Sequence, residues 1–187
     1  MENMQLSPGS LLIASATLTD PNFARCVLLL LNSDEDGTLG VILNRPSATA
    51  VGEALPSWQD VTSEPGVLFQ GGPVELNAAL ALGSLRDAPA PPGWRPLAGP
   101  SLGFVDLDGS PDDFLGLLTA LRVYAGYTGW SGGQLEGEIR DGAWHVVPAR
   151  DGDLFSSTPD RLWGEVLRRQ PPPLSMLATL PEDVNLN

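Results

Sequence analysis

The chain contains no lysine, and this absence removes several kinds of catalytic and cofactor chemistry. A Walker A loop, a Schiff-base nucleophile and a pyridoxal phosphate attachment point all require a lysine side chain. Cys26 and His145 are the single cysteine and the single histidine, so a Cys/His zinc site and an internal disulfide are excluded. No Gly-x-Gly sequence occurs, so the dinucleotide-binding fingerprint is missing. We predict no enzymatic activity, no cofactor and no metal site.

Positive charge is scarce throughout the chain. Ten arginines stand against 23 acidic residues, which gives a net charge of −13. The imbalance is spread evenly, because residues 1–93 hold 3 Arg and 10 acids and residues 94–187 hold 7 Arg and 13 acids. Proteins that bind nucleic acid gain affinity by placing cations on phosphates, and anionic membranes attract basic segments. We therefore expect neither a nucleic acid nor a membrane partner.

Long apolar runs are also missing. The longest, Cys26 to Leu31, is far shorter than the roughly 20 residues that cross a bilayer. The first five residues have no basic or apolar region of the kind found in signal peptides. Together with the single cysteine, this predicts a cytoplasmic protein. At about 150 residues per domain, we expect one domain over 1–187. Its core is expected at about 9–170, followed by a proline-initiated tail at 171–187. We expect the protein to be a monomer or a weak dimer.

Short apolar runs separated by turn residues predict most strands. The runs Ser10–Ser15, Cys26–Asn32, Thr38–Asn44 and Val67–Gln70 indicate strands in the first half, and the second and third form a hairpin across a turn that ends in Asp-Gly. Gly40 within the hairpin indicates a bulge or a close backbone approach. Residues 76–82 remain ambiguous between helix and strand. In the second half, strands are predicted over 102–107, 123–127 and 143–148.

Four helices are predicted from their start signals and apolar spacing. A short helix is expected over 49–58, capped by Thr49. Ser110 followed by Pro111 predicts a helix whose apolar face reaches Leu121. A capping box is expected to open a helix at Ser131, and a last helix begins near residue 158. Beyond it, apolar residues of the tail are expected to dock on the body or on a partner: Leu174, Met176, Leu177 and Leu180.

One sequence matches a catalytic motif. Residues 129–133 read Gly-Trp-Ser-Gly-Gly, which fits the G-x-S-x-G nucleophile elbow, with Ser131 as nucleophile and His145 as the single available base. His145 follows by only 14 residues, on the next predicted strand, whereas the hydrolase fold takes its histidine from a later, separate strand. We favour a helix cap at Ser131, and a hydrolase stays as an alternative.

Other clusters have simpler interpretations. The carboxylates of Asp106, Asp108, Asp112 and Asp113 fail the calcium-loop template, since Pro111 stands where glycine is required. Arg161, Glu165 and Arg169 are spaced for an exposed ladder of ion pairs along a helix. Cys26 lies in an apolar run, which indicates a buried, unreactive thiol.

Two turns that follow predicted buried strands are the best candidates for binding. They are Asn44-Arg45-Pro46 and Gly71-Gly72-Pro73. Turns after strands are common positions for binding groups, and glycine amides beside an arginine suit an anion or a carbonyl. Turn geometry alone also accounts for glycine and proline here, and that alternative stays open.

The motifs together resemble the AlgH/YqgE-like family of bacterial proteins. The resemblance covers about residues 9–170 and depends on Asn44-Arg45-Pro46, on Gly71-Gly72-Pro73, and on the run from Gly126-Tyr127 through Gly129-Trp130 to Gln134-Leu135-Glu136. It implies an α+β fold in which a mixed or bifurcated β-sheet closes into a small barrel flanked by helices. The chain departs from the family at Ala14-Ser15-Ala16, which lacks a common proline, and at Leu80–Gly83, which lacks a common histidine.

The resemblance implies no established activity. The family is often labelled a transcriptional regulator, from a link to alginate production, without a known ligand or DNA-binding motif. Our first hypothesis is a noncatalytic binding or regulatory protein that contacts an unknown protein or small molecule. The candidate surface consists of Asn44, Arg45, Pro46, Gly71, Gly72, Pro73, Trp130 and Gln134. A direct DNA-binding regulator is the second hypothesis, which the charge opposes, and a Ser131 hydrolase is the third.

Overall fold

Ten strands build one continuous sheet in the computed structural model, which describes residues 6–181. The strands are β1 (Leu11–Ala14), β2 (Val27–Asp34), β3 (Gly37–Ile42), β4 (Pro46–Ala50), β5 (Val67–Gln70), β6 (Val74–Leu85), β7 (Trp94–Ala98), β8 (Leu102–Val105), β9 (Leu118–Ser131) and β10 (Trp144–Val147). The α-helices are α1 (Val51–Ala54), α2 (Gln134–Arg140) and α3 (Leu162–Arg168). Short 3-10 helices cover Pro56–Val61, Pro111–Phe114, Pro159–Arg161 and Leu174–Thr179.

The predicted hairpin is confirmed as the antiparallel pair of β2 and β3. Asp34 closes its turn, because Oδ1 of Asp34 accepts hydrogen bonds from the backbone N–H groups of Asp36 at 3.0 Å and Gly37 at 3.2 Å. The ladder shifts by one residue opposite Gly40, where a side chain would come within 2.9 Å of the Leu29 carbonyl oxygen. Gly40 is thus both at a bulge and at a close backbone approach.

Strand β9 divides the sheet into two arms. Its last residues, 128–131, pair antiparallel with β3, while Tyr124 and Ala125 pair in parallel with β5 on the same side. The other edge of β9 pairs antiparallel with β6 from residue 118 to residue 127. The expected mixed, bifurcated sheet and the α+β class are therefore confirmed, and β9 is the strand at which the sheet forks.

The sheet does not close into the expected barrel. The strand order runs from β10 at one end to β7 at the other, and these end strands do not pair with each other. The sheet does curl, because Gly9, just before β1, lies so close to β7 that a methyl group on it would be 2.5 Å from Cβ of Ala98. The result is a half-barrel whose two ends approach without forming a hydrogen-bonded seam.

Both faces of the central strands are buried. Leu11, Ile13 and Leu29 face a cluster that α3 covers, whereas Leu12 and Leu28, at alternate positions, face a second cluster with α2 above it. Continuous apolar runs, rather than alternating ones, are what such doubly covered strands require.

The helix predicted from Ser110 to Leu121 is wrong beyond its first turn. Oγ of Ser110 caps the turn by accepting a hydrogen bond from the Asp112 N–H at 3.2 Å, but the helix ends at Phe114 and Gly116 adopts a φ of 73°. Leu118 and Leu121 belong to β9, where Leu121 is buried and pairs with Gly83 of β6. Pairing with a distant strand outweighs the local helical spacing there.

Two other helix boundaries differ from expectation. The helix predicted over 49–58 is split, since β4 extends to Ala50, α1 covers four residues and a 3-10 helix follows. The expected serine cap of α2 is also wrong, because Gly133, with a φ of 77°, occupies the cap position and Ser131 ends β9. The ambiguous residues 76–82 lie in strand β6.

The tail docks on the body, which is one of the two alternatives expected from the sequence. Leu174 and Leu177 pack against the cluster under α3, while Met176 remains 66% exposed. Nη2 of Arg25 donates a hydrogen bond of 2.8 Å to the Leu180 carbonyl, and its guanidinium lies 4.5 Å from the ring centre of Trp163. The last six residues of the predicted tail, 182–187, lie outside the described range.

Candidate functional site

Asn44 holds the chain at the start of β2. Its Oδ1 accepts a hydrogen bond from the Val27 N–H at 2.9 Å, and its Nδ2 donates to the Arg25 carbonyl at 3.0 Å. Both contacts join the turn after β3 to the segment that precedes β2, which lies 17 to 19 residues earlier. Asn44 therefore positions the backbone of the site.

The two glycines after β5 lie in the fork of the sheet. The Gly71 carbonyl accepts hydrogen bonds from the Ile42 N–H at 2.9 Å and from Oγ1 of Thr128 at 3.3 Å, and its N–H donates to the Ala125 carbonyl at 2.9 Å. Any side chain at Gly72 would overlap the Tyr127 carbonyl and the Thr128 hydroxyl. The glycines are required here because three strands converge on this segment.

The two predicted turns meet each other. The backbone N–H of Gln70 donates to the Arg45 carbonyl at 2.8 Å, which ties the start of β4 to the end of β5. Nη2 of Arg45 donates to the Ala24 carbonyl, which draws the half-buried guanidinium toward the loop before β2. A groove of about 480 Å³ opens between these segments.

The groove has polar and apolar walls. Its charged lining residue is Arg45, and the polar side chains around it are those of Asn22, Ser47, Thr49 and Gln70. The rest of the lining is apolar or glycine: Pro21, Ile42, Leu68, Phe69, Gly72, Pro73, Leu76 and Ala125. Arg45, Gly72 and Pro73 of the candidate surface thus share one groove, with Asn44, Pro46 and Gly71 beside them in the chain.

Unusual backbone conformations occur on both sides of this groove. Among the described residues, Arg25 with a φ of 55° and Glu75 with a φ of 48° are the non-glycine residues in the left-handed region. Arg25 follows Ala24, to which Arg45 donates, and Glu75 comes two residues after Pro73. Such conformations cost about 1–3 kcal/mol each and cluster at functional sites.

Trp130 and Gln134 lie elsewhere and form a separate cluster with Glu138. Nε1 of Trp130 donates to Oε2 of Glu138 at 3.0 Å, and Nε2 of Gln134 donates to Oε1 of the same residue at 2.9 Å. Trp130 is only 6% exposed and contacts Trp144 edge-to-face at 5.9 Å between ring centres. The structure therefore divides the candidate surface into a groove and a cluster that attaches α2, in which Trp130 is buried and Gln134 is exposed.

The arrangement around Ser131 differs from a nucleophile elbow. Oγ of Ser131 is 3.2 Å from Oε1 of Gln134, to which it donates, and Ser131 ends an ordinary strand instead of occupying a strained turn. His145 lies half-buried on β10, and burial lowers its pKa below the usual value of 6.5. Within residues 6–181, no hydrogen bond joins this serine to this histidine.

The acidic and basic clusters have structural partners of their own. Oδ1 of Asp106 accepts from the Asp108 N–H at 3.0 Å, which shapes the turn before Ser110. No group of three potential metal ligands comes together in the part of the chain that the structure describes. The predicted ladder on α3 is wrong, because Arg169 turns to Asp153 in a bidentate pair and not to Glu165.

Three polar features were not anticipated from the sequence. Arg122 is fully buried and donates to the carbonyls of Glu64 at 2.7 Å, Ser156 at 3.1 Å and Leu154 at 3.2 Å. Glu138 and the Asp153–Arg169 pair are the other two. The sequence does contain a signal for Arg122, which is an arginine between the apolar residues of a strand. An arginine is rarely buried without specific partners.

Cys26 is fully buried beside the groove loop. Burial raises the pKa of its thiol to about 12, so the thiolate is negligible near neutral pH. The structure thus agrees with the interpretation of Cys26 as a small core residue. None of the helices formed by residues 6–181 is both long and apolar enough to span a bilayer.

Comparisons with known proteins agree over nearly the whole chain. The chain is 51% identical over 183 residues to a UPF0301 protein of Streptomyces coelicolor, which covers 96% of this chain and 94% of that protein. It is 45% identical over 186 residues to a UPF0301 protein of Mycolicibacterium smegmatis, with 98% and 92% covered.

Two solved structures share the fold. The crystal structure of protein DIP2367 from Corynebacterium diphtheriae superposes with a TM-score of 0.89 at 32% identity, covering 96% of this chain and 95% of that one. The solution structure of the AlgH protein from Pseudomonas aeruginosa gives a TM-score of 0.66 at 26% identity, with 97% and 98% covered. Residues 11–175 match the AlgH-like family (DUF179), and this chain therefore belongs to that family.

Proposed function

We propose that this protein is a noncatalytic cytoplasmic binding protein whose ligand site is the groove between the strand-end turns at Asn44–Pro46 and Gly71–Pro73. The observation that carries the proposal is the meeting of these turns around the Arg45 side chain. A regulatory role would then follow from ligand occupancy, through the segments that the turns connect.

The chemistry of the lining supports binding over catalysis. Within residues 6–181, the residues that line the groove include no histidine, cysteine, aspartate, glutamate or tyrosine. General acid–base catalysis requires a titratable group within hydrogen-bond reach of the substrate. Ser47 and Thr49 are the hydroxyl groups of the lining, and no base activates them there.

The rigidity of the groove supports binding as well. Gly71 is hydrogen-bonded to β3 and to β9, and Asn44 fixes the opposite turn to the start of β2. A pocket whose backbone is held in place before the ligand arrives loses little conformational entropy on binding. The groove volume of about 480 Å³ is within the range of small-molecule sites.

The test is a titration of ¹⁵N-labelled protein with four small probes, namely benzyl alcohol, benzamide, benzoate and phenyl phosphate, followed by amide chemical shifts. We expect at least one probe to shift the amides of residues 44, 45, 47–49 and 70–72 together. Thr49→Trp, which places an indole in the groove, should abolish those shifts. The matched control Ser157→Trp lies on an exposed segment outside the groove and should leave them unchanged. Shifts that are scattered, or that survive Thr49→Trp, would overturn the proposal.

A further inference from the structure

We infer that the groove is specific for a small molecule that carries an oxyanion, a carboxylate or a phosphate, on an apolar body. The inference rests on the proposed function, since it names the ligand class of the same groove. Arg45 would pair with the oxyanion, and the wall formed by Leu68, Pro73 and Leu76 would contact the apolar body.

The charge of the groove is opposite to that of the chain. The protein has a net charge of −13, yet the lining contains Arg45 and no carboxylate. Three other cavities within residues 6–181 combine arginine with acidic residues, for example Arg95 with Asp106 and Asp108, or Arg161 with Asp160. An isolated cation in a concave site on an acidic protein selects anionic ligands, because acidic side chains repel them elsewhere on the surface.

The guanidinium of Arg45 keeps donors available. Nη2 is anchored on the Ala24 carbonyl, and the side chain makes no ion pair with any carboxylate of residues 6–181. A guanidinium has five N–H donors in a planar fork that matches carboxylate and phosphate oxygens. Anchoring one nitrogen fixes the orientation of the fork and leaves most of its donors for a ligand.

Neutral donors stand around this cation. In the described part of the chain, the side-chain amides of Asn22 and Gln70 have no hydrogen-bond partner in the protein, and both line the groove. They are suited to the remaining oxygens of a phosphate or to the hydroxyl groups of the ligand body.

The apolar wall is unusually exposed. Leu76 is 63% exposed at the edge of the groove, on the segment that follows the strained Glu75. Burying such a side chain against a ligand recovers about 25 cal/mol per Å² of apolar surface. The distribution of groups therefore predicts one charged end and one apolar end in the ligand.

The first experiment separates charge from shape. Phenyl phosphate and benzoate are titrated beside benzyl alcohol at constant ionic strength, with amide shifts as readout. For fragments of about ten non-hydrogen atoms, we expect dissociation constants on the order of 1 mM for the two anions and no saturation with the alcohol. Arg45→Gln should weaken both anions about tenfold and Arg45→Lys should restore part of the affinity. Arg95→Gln, which alters an arginine stacked on Phe104 in another cavity, is the matched control and should change neither.

The second experiment tests the apolar end. Leu76→Asn should weaken phenyl phosphate and leave inorganic phosphate unchanged, whereas Leu115→Asn, at a leucine that is 72% exposed outside the groove, should affect neither probe. In the first experiment, tighter binding of phenyl phosphate than of benzoate would identify a phosphate ligand, and the reverse would identify a carboxylate.

The outcomes distinguish the two proposals. If benzyl alcohol fills the groove as well as the anions do and Arg45→Gln changes nothing, the ligand class is wrong and the groove stands as a binding site. If none of the probes shifts the amides of the groove, the proposed function fails together with the ligand class.

Discussion

Trp130 and Trp144, on strands β9 and β10, donate to one and the same carboxylate oxygen. Their Nε1 atoms lie 3.0 Å and 2.8 Å from Oε2 of Glu138, although three strands separate β9 from β10 in the sheet. Glu138 is in α2, so this helix closes over the strands from β10 to β9 and links the first and the last of them by a single side chain. The bonds also satisfy two indole groups that the sheet alone would leave buried without acceptors.

Replacement of Glu138 should destabilise the protein strongly. Glu138→Ala leaves two buried N–H donors unpaired, so we expect a loss of about 3 kcal/mol in the free energy of unfolding. Glu138→Gln retains an acceptor oxygen and should cost about 1 kcal/mol. Glu136→Ala, on the exposed side of the same helix, is the control and should change stability by less than about 0.5 kcal/mol. Urea unfolding followed by circular dichroism measures all three, and equal values for Glu138→Ala and Glu136→Ala would contradict the role of Glu138.

Removal of the Tyr124 hydroxyl should not destabilise the protein. Oη of Tyr124 is fully buried and has no hydrogen-bond partner, and burial raises the pKa of this phenol above its usual value. Tyr124→Phe removes an unpaired polar atom, so we expect stability to be unchanged or to rise by about 1 kcal/mol. Thermal unfolding measures the change, with Tyr127→Phe on the same strand as control. A clear fall in the unfolding temperature for Tyr124→Phe would mean that the hydroxyl has a partner.

His145 should titrate below pH 6.5. Burial disfavours its charged form and lowers its pKa, so the unfolded chain binds the proton more tightly than the folded one. The contribution of this group to stability is therefore complete above pH 6.5 and is lost as the pH falls through the lower pKa of the folded state.

Proton NMR measures this pKa directly, because the chain has a single histidine whose ring resonances need no further assignment. His145→Gln should make the stability less dependent on pH in that window. A pKa at or above 6.5 in the folded protein would show that the side chain is solvated or paired with a carboxylate.

The charge predicts that nucleic acid does not bind directly. With a net charge of −13, the protein is expected to show no retention of duplex DNA in filter binding at about 50 mM salt. Arginine-to-glutamine changes at Arg161 and Arg168 should make no difference. Tight binding that weakens steeply with added salt would instead support a direct DNA-binding regulator.

The local parts of the fold could be predicted from the sequence. The hairpin of β2 and β3 has a turn of acidic residues and glycine between two apolar runs, and α3 has its apolar residues at helical spacing. The segment from Ser110 to Leu121 shows the limit of such patterns. Its leucines suit a helix as well as a strand, and the strand prevails because β6 supplies a partner that lies about 35 residues earlier in the chain.

Six of the eight residues of the candidate surface lie in two turns that the structure brings together, and Trp130 and Gln134 lie elsewhere. The glycines at 71 and 72 and Arg45 come together because the turns they occupy both follow strands that meet at β9. Trp130 and Gln134 belong to the same family signature, but they serve the attachment of α2. A short motif can point to a residue, but it does not show which residues that side chain contacts. Those contacts depend on the pairing of strands that are distant in the sequence.

The position of β9 late in the chain determines the order in which the protein can fold during synthesis. Strands β3, β5 and β6 are all synthesised before residue 118, and each of them needs β9 as its neighbour. Because translation adds about 5–20 residues per second, the edges of these strands stay unpaired for seconds until β9 is made. The acidic turn at residues 34–36 lies beside one of these waiting edges, and its charge discourages pairing with the edge of another nascent chain.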